Sequence, residues 1–449
     1  MNVLSVKKKT MQCQVKTSSL LALVIISFGA QMLFADQSAP DIDWSAFNGK
    51  SVEVEDFSSA QGEVISSYIP FFKELGQKVW GWDPEKELKN STNSIYREPP
   101  PAGFNELMKS LFVEYDVSST EHFRKVWFKP TSSVSFRGLF GIHDFKKLRP
   151  FIFLRLGIHG NVDELIAERF LLKIIYENLD ANVLVIESLT SHAFLSKNDK
   201  ISIGGVDEGI QTFLALNEIS KSQFNRLVKS VHIVSLSMGS HGTFVTSMLD
   251  QHNGHKIKTI LNFCPLVNLK QTFDYHNNPE SNLQNALIDL WNVRRLNEVF
   301  RIYERETTLK AWWRTIFDLK PRFTPGLLEL IDKERHQPLI SVEEIENLVP
   351  NMQWPTGLRE HFLNSKGVFD LNDFWKYYQN IETAITIYTT PNDPLVLNRL
   401  NSELIFTGKQ PGDFKLLNFQ RLDRGIHCGL APVYTWDYIV GLVKSGLAL

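Results

Sequence analysis

Ser237 lies in VHIVSLSMGSHGTFV, between a β-branched apolar run and a stretch rich in small residues. A nucleophilic serine at a strand-to-helix turn needs that setting. The tight turn lifts its hydroxyl above the sheet, and the residues two before and two after must be small because the two backbones converge there. Those positions are Ser235 and Gly239, so the motif reads S-x-S-x-G rather than G-x-S-x-G. A serine hydroxyl is a weak nucleophile until a base takes its proton and a third group orients the base. Asp393 in TTPNDPLV and His427 in RGIHCG follow in the order serine, acid, histidine. The expected roles are attack on an acyl carbon by Ser237, proton shuttling by His427, and control of the imidazole tautomer by Asp393. Upstream, FLRLGIHGN (Phe153–Asn161) ends a strand-like run in a His-Gly turn. Backbone N–H groups of Asn161 and Met238 are the candidate donors to the oxyanion.

Such groups converge only if a sheet brings them to one edge. Apolar runs suited to strands occur at Phe151–Leu156, Asn182–Glu187, Val231–Ser237, Thr259–Val267, Ala384–Thr390 and Phe414–Phe419. Helix-period stretches alternate with them at Val162–Asn178, Asp207–Ile219, from Met238, from Leu397 and at Val433–Ser445. Near-continuous apolar strands separated by helices predict an α/β fold with a mostly parallel sheet covered on both faces. Phe123–Pro130 and Ser133–Ile142 suit an antiparallel edge. Asp393 and His427 then fall in loops at the carboxyl ends of strands, where open α/β sheets place their reacting groups.

With these motifs in order, the chain from Phe123 to Leu449 resembles the α/β-hydrolase superfamily, in particular its carboxylesterase-like branch with a helical cap. The His-Gly turn, SLSMG, NDPLV, GIHCG and the stretch FDLNDFWKYY carry the resemblance. It implies a core of residues 120–268 and 384–449 and a helical cap insertion at 269–383. The cap is rich in aromatics, with Trp291, Trp312, Trp313, Trp354 and Trp375, and is cut into short pieces by prolines. Trp312 and Trp313 are the first candidates to line an apolar pocket, although large aromatics serve packing more often. His241, in the helix after Ser237, reads as a packed or solvated residue.

Composition narrows the alternatives. With 48 basic and 50 acidic side chains and a net charge of −2, the chain offers no basic field for nucleic acid. No P-loop or dinucleotide fingerprint follows a strand, and no Cys/His cluster has metal-ligand spacing, so no cofactor and no metal are expected. Lys7, Lys8, Lys9 and Lys16 precede the apolar run Leu20–Ile26, and Ala35 precedes a polar stretch. That order is a secretory signal over residues 1–35, with an uncleaved signal-anchor as the alternative. Secretion or a periplasmic location follows. Cys264 and Cys428 then remain; they could pair in an oxidising compartment, but one bridge is no framework, and both are read as free thiols. Residues 36–119 read as an irregular N-terminal extension around the domain.

The expected activity is a serine hydrolase acting on a small-molecule or lipid ester through an acyl-enzyme, with membrane-surface association left open. An acyltransferase or thioesterase would use the same three residues. A catalytically silent binding protein of the same fold is the third reading.

Overall fold

The computed structural model describes Trp44 and residues 51–55, 122–158, 160–162, 168–198, 200, 202–276, 337–390, 393, 395–406, 416–422, 427–428 and 436–449. The expected signal, most of the N-terminal extension 36–119, and Trp291, Trp312 and Trp313 lie outside the described residues. Among the described residues no helix is long and apolar enough to cross a membrane.

Among the described residues, one sheet of nine strands organises the fold. In chain order they are β1 (Val52–Glu55), β2 (Phe123–Phe128), β3 (Phe136–Gly141), β4 (Arg149–Arg155), β5 (Asn182–Ile186), β6 (Val228–Leu236), β7 (Ile257–Phe263), β8 (Ala384–Thr389) and β9 (Leu417–Arg421). Their spatial order is β1-β2-β3-β5-β4-β6-β7-β8-β9. The pairs β1–β2, β2–β3 and β3–β5 are antiparallel. From β5 to β9 every pair is parallel. The sheet is therefore mostly parallel with an antiparallel edge, as the alternation of apolar runs and helices implies.

Helices among the described residues are α1 (Arg169–Lys173, continued by a π turn to Asn178), α2 (His192–Asn198), α3 (Gly205–Lys221), α4 (Ser237–His252) and α5 (Leu269–His276). After the undescribed part of the insertion come α6 (Val342–Leu348), α7 (Leu358–Asn364) and α8 (Val368–Leu371). The chain ends with α9 (Ser402–Phe406) and α10 (Trp436–Leu447). Successive residues of the central strands point into two separate cores, because strand side chains alternate between faces. Phe151, Phe153, Ile233 and Ile260 join Ile210 and Phe213 of α3 and Phe244 and Met248 of α4 on one face. Ile152, Leu154, Val234 and Leu261 join Leu171 of α1 and Ile439 and Val443 of α10 on the other. Burial on both faces explains why these strands read as unbroken apolar runs rather than alternating ones.

β4 runs between β5 and β6, so the chain leaves β4 in one direction along the sheet and leaves β6 in the other. A crevice opens at the carboxyl ends of strands where the winding reverses in this way. The segments after β4 and after β6 meet there.

Several boundaries differ from the sequence reading. β1 falls in the region expected to be irregular; its four residues pair with Phe128 to Lys125, a contact that local pattern does not reveal. Trp44 also packs into the first core, edge-on to Phe140 at 6.0 Å. β7 stops at Phe263 rather than Val267, because Cys264 turns into the left-handed region at φ 41°. Residues 337–383 of the insertion pack on α3 and α4. Leu339 donates its N–H to Asp207, Val206 donates to Asn372 Oδ1 at 3.0 Å, and Tyr378 stacks on Phe244 at 4.2 Å.

Candidate active site

β6 ends at Leu236 and α4 begins with Ser237 itself, with no intervening loop. The chain turns that sharply because Ser237 adopts φ 51°, a left-handed conformation that a side chain occupies only when its surroundings over-determine it. The crowding is direct at Gly239, where an added Cβ would meet the Leu156 carbonyl oxygen at 2.3 Å. Only glycine fits between the end of β4 and the first turn of α4. Ser235, where glycine is the usual residue, is buried with its hydroxyl 2.6 Å from Asn262 Oδ1 of β7 and 2.9 Å from the Ser240 hydroxyl. The departure from the motif is thus accommodated by a polar partner on the neighbouring strand, since Ser235 and Asn262 are in register.

Asp393 follows β8 and His427 follows β9. The buried Asp393 carboxylate accepts the backbone N–H groups of Leu395 at 2.9 Å and Val396 at 2.8 Å, which fixes its direction. His427 Nδ1 lies 3.0 Å from both carboxylate oxygens. A carboxylate can only accept, so Nδ1 carries a proton, and in the neutral ring Nε2 is then the nitrogen with the free lone pair. Among the described residues no hydrogen bond joins Ser237 Oγ to His427; bonds of this kind tighten when substrate is held. Asn398 bonds the Thr390 carbonyl at 2.6 Å and steadies the start of the acid loop.

The loop after β4 runs directly beside the nucleophile. A Cβ on Gly157 would stand 3.3 Å from Ser237 Cβ. Gly160 N–H closes a turn on the Gly157 carbonyl at 2.9 Å, and Ser188 N–H binds the Gly160 carbonyl at 3.0 Å. Behind it, a buried Arg137–Glu187 ion pair at 2.6 Å takes the Val162 N–H on Glu187 Oε1 and the Asn161 side chain on Arg137. Asn161 is thereby held in this loop, and Met238 stands at the second position of α4, where the backbone N–H has no partner within the helix. His159, the histidine of the His-Gly turn, lies outside the described residues.

The strand order defines the architecture, with a strained serine at the end of a central parallel strand where the winding reverses, and an acid and a histidine in the loops after later strands. The chain has an α/β-hydrolase fold. No family model matches the sequence, and no curated protein matches it. Solved structures similar to it include an esterase of Pyrococcus furiosus, at 12% identity over 79% of this chain and 99% of the other, TM-score 0.43. A Pyrobaculum calidifontis esterase follows at 11% identity over 84% and 97%, TM-score 0.41. A lipase-esterase related protein from Clostridium acetobutylicum follows at 12% identity over 69% and 99%, TM-score 0.36.

Within this hydrolase fold, the segment after β7 emerges as a hub that sequence reasoning missed. Cys264 N–H binds the Tyr388 carbonyl of β8 at 2.7 Å, and Leu266 N–H binds the Ser237 carbonyl at 3.2 Å. Val267 and Asn268 both donate to Asn401 Oδ1, at 2.8 and 3.0 Å. Cys264 is joined to Cys428 in a disulfide with Cα atoms 5.6 Å apart, which replaces the free thiols of the sequence reading. The two sulfurs and a ring nitrogen of His427 lie within 4.8 Å of one another. A metal needs thiolate sulfur, so this donor set is closed while the bridge is intact.

His241 is wholly buried and neutral. Its Nδ1 accepts the Gly205 N–H at 3.1 Å and its ring stacks on Phe374 at 4.5 Å. Burial alone pushes its pKa down to about 3, so it ties α4 to α3 and does not shuttle protons near neutrality. Trp354 and Trp375 pack against the first core, and Trp354 Nε1 donates to Glu346 at 2.9 Å. Both contribute to packing.

Proposed function

We propose that this hydrolase cleaves carboxylic esters through an acyl-enzyme on Ser237. His427 Nε2 takes the Ser237 proton as Oγ attacks the acyl carbon, then returns it to the leaving alcohol. Asp393 holds Nδ1–H and stabilises the imidazolium formed on the way. Backbone N–H groups of Asn161 and Met238 receive the oxyanion. A water activated by the same histidine then releases the acid. The observation that carries this reading is the His427–Asp393 contact, 3.0 Å to each oxygen, made by residues from separate loops at the edge where Ser237 stands.

A fluorophosphonate probe tests it. The wild-type chain is expected to be labelled on Ser237 and to turn over p-nitrophenyl esters. Ser237→Ala should lose both while keeping its far-UV spectrum. Residual turnover within tenfold of wild type would remove Ser237 from the reaction. Export to an oxidising compartment belongs to the same proposal; the Cys264–Cys428 bridge supports it, because such bonds persist outside the reducing cytosol.

A further inference from the structure

The disulfide lies beside the proposed base, and its position points to a role. Cys428 directly follows His427, and Cys264 directly follows the last residue of β7. Two residues beyond Cys264, Leu266 N–H binds the Ser237 carbonyl. A single three-residue segment therefore grips the nucleophile at one end and the neighbour of the base at the other. Among the described residues, His427 and Cys428 are joined to the body of the protein by the Asp393 hydrogen bond, by the bridge, and by a 3.4 Å contact of Cys428 Sγ with the Phe263 carbonyl. Both cysteines hold left-handed backbone, φ 41° and 52°, which side-chain-bearing residues keep only under tertiary constraint.

We propose that the Cys264–Cys428 bridge is a positioning element that sets the distance between His427 and Ser237, making the hydrolase redox-sensitive. The inference rests on the acyl-enzyme reading. The bridge crosses 164 residues of chain and connects the loop that carries His427 to the segment hydrogen-bonded to Ser237, so it bears on whether Nε2 reaches Oγ. Reacting groups misplaced by about 1 Å can lose about a hundredfold in rate. Opening the bridge takes two electrons and two protons from an added dithiol. The Sγ–Sγ bond breaks, two thiols form, and the dithiol closes to its own cyclic disulfide. Asp393 keeps its hold on Nδ1, but the loop loses its covalent link to the segment whose Leu266 N–H binds the Ser237 carbonyl.

The test uses the full chain, oxidised or treated with dithiothreitol, together with Cys264→Ser and Cys428→Ser. EDTA is present throughout, so that the freed thiolates and His427 do not capture a metal. Peptide mapping should find Cys264 linked to Cys428 in the oxidised chain. Reduction should lower kcat on a short p-nitrophenyl ester at least about tenfold, with KM within about twofold and the far-UV spectrum unchanged. Reoxidation should restore the rate, and each serine variant should match the reduced enzyme and ignore the reductant. The downfield proton of His427 hydrogen-bonded to Asp393 gives a spectroscopic readout that needs no turnover; it should broaden or shift on reduction. An oxidised chain that neither labels at Ser237 nor hydrolyses ester would overturn the acyl-enzyme reading, while the proton signal still decides the tether. Unlinked cysteines, a reduced enzyme with unchanged kcat and unchanged proton signal, or a chain that unfolds outright on reduction would each overturn the tether.

Discussion

Leu266 gives its backbone N–H to the carbonyl of Ser237 at 3.2 Å. The strained serine is thus gripped from the neighbouring strand's exit as well as from its own helix. Left-handed backbone at a side-chain-bearing residue costs on the order of 1–3 kcal/mol and needs such support. The same exit segment reaches the acid loop through Asn401 and the histidine through Cys264. Site geometry here depends on the strand β7 as much as on the residues proposed to react.

Asp393→Asn separates orientation from charge. Its side-chain oxygen can still accept from Leu395 and Val396, so the loop should stay in place. The amide N–H2 then faces His427 Nδ1 and favours the wrong tautomer. We expect kcat to fall by about 10⁴-fold with little change in melting temperature. A fall smaller than tenfold would show that Asp393 only shapes the loop.

Gly239→Ala and Ser235→Gly should differ in their effect on activity. The alanine methyl meets the Leu156 carbonyl at 2.3 Å, a backbone atom with no room to withdraw. A loss of about 1–3 kcal/mol is expected, with reduced activity as the loop after β4 is displaced. Ser235→Gly removes the hydroxyl contacts with Asn262 and Ser240 and should cost about 1 kcal/mol with kcat within a few-fold of wild type. Urea midpoints and kcat, measured together on both variants, check the pair.

Arg137→Leu leaves the Glu187 carboxylate buried without its cation. Breaking a buried pair on one side costs about 3–5 kcal/mol. Glu187 also holds the Val162 N–H, so the loop bearing Asn161 should shift and kcat/KM should drop at least about tenfold. Chemical denaturation and steady-state kinetics on one preparation measure both effects. A destabilised variant with unchanged kcat/KM would argue that the loop is positioned by other contacts.

Acid should weaken the fold through its buried histidines. His241 takes a proton near pH 6.5 when unfolded but only at about 3 in the fold. Between those values the unfolded chain holds the extra proton, so stability rises with pH and is lost as pH falls below about 6.5. His232, lowered by burial to about 4, adds the same sign. Each contributes up to about 1.4 kcal/mol per pH unit. His241→Asn keeps an acceptor for the Gly205 N–H and cannot charge. Denaturation from about pH 6 to about pH 4.5 should give a slope shallower by roughly one proton. Equal slopes would remove His241 from the acid response.

Much of the frame was legible along the chain. Phe151–Leu156, Asn182–Glu187 and Val231–Ser237 read as buried strands because both faces of each are covered, and that leaves an unbroken apolar run in the sequence. Ser237 stood out because the steric demand of an elbow is local, falling on Ser235 and Gly239 within five consecutive residues. Chain order alone then singled out Asp393 and His427. What only the folded molecule decided were partnerships across the sheet. β1 joined β2, Ser235 found Asn262, Arg137 found Glu187, and Cys264 met Cys428 from 164 residues away. None of these follows from propensity or spacing, because each depends on which strands lie side by side and in what register. That is set by the burial of the whole sheet between two layers of helices.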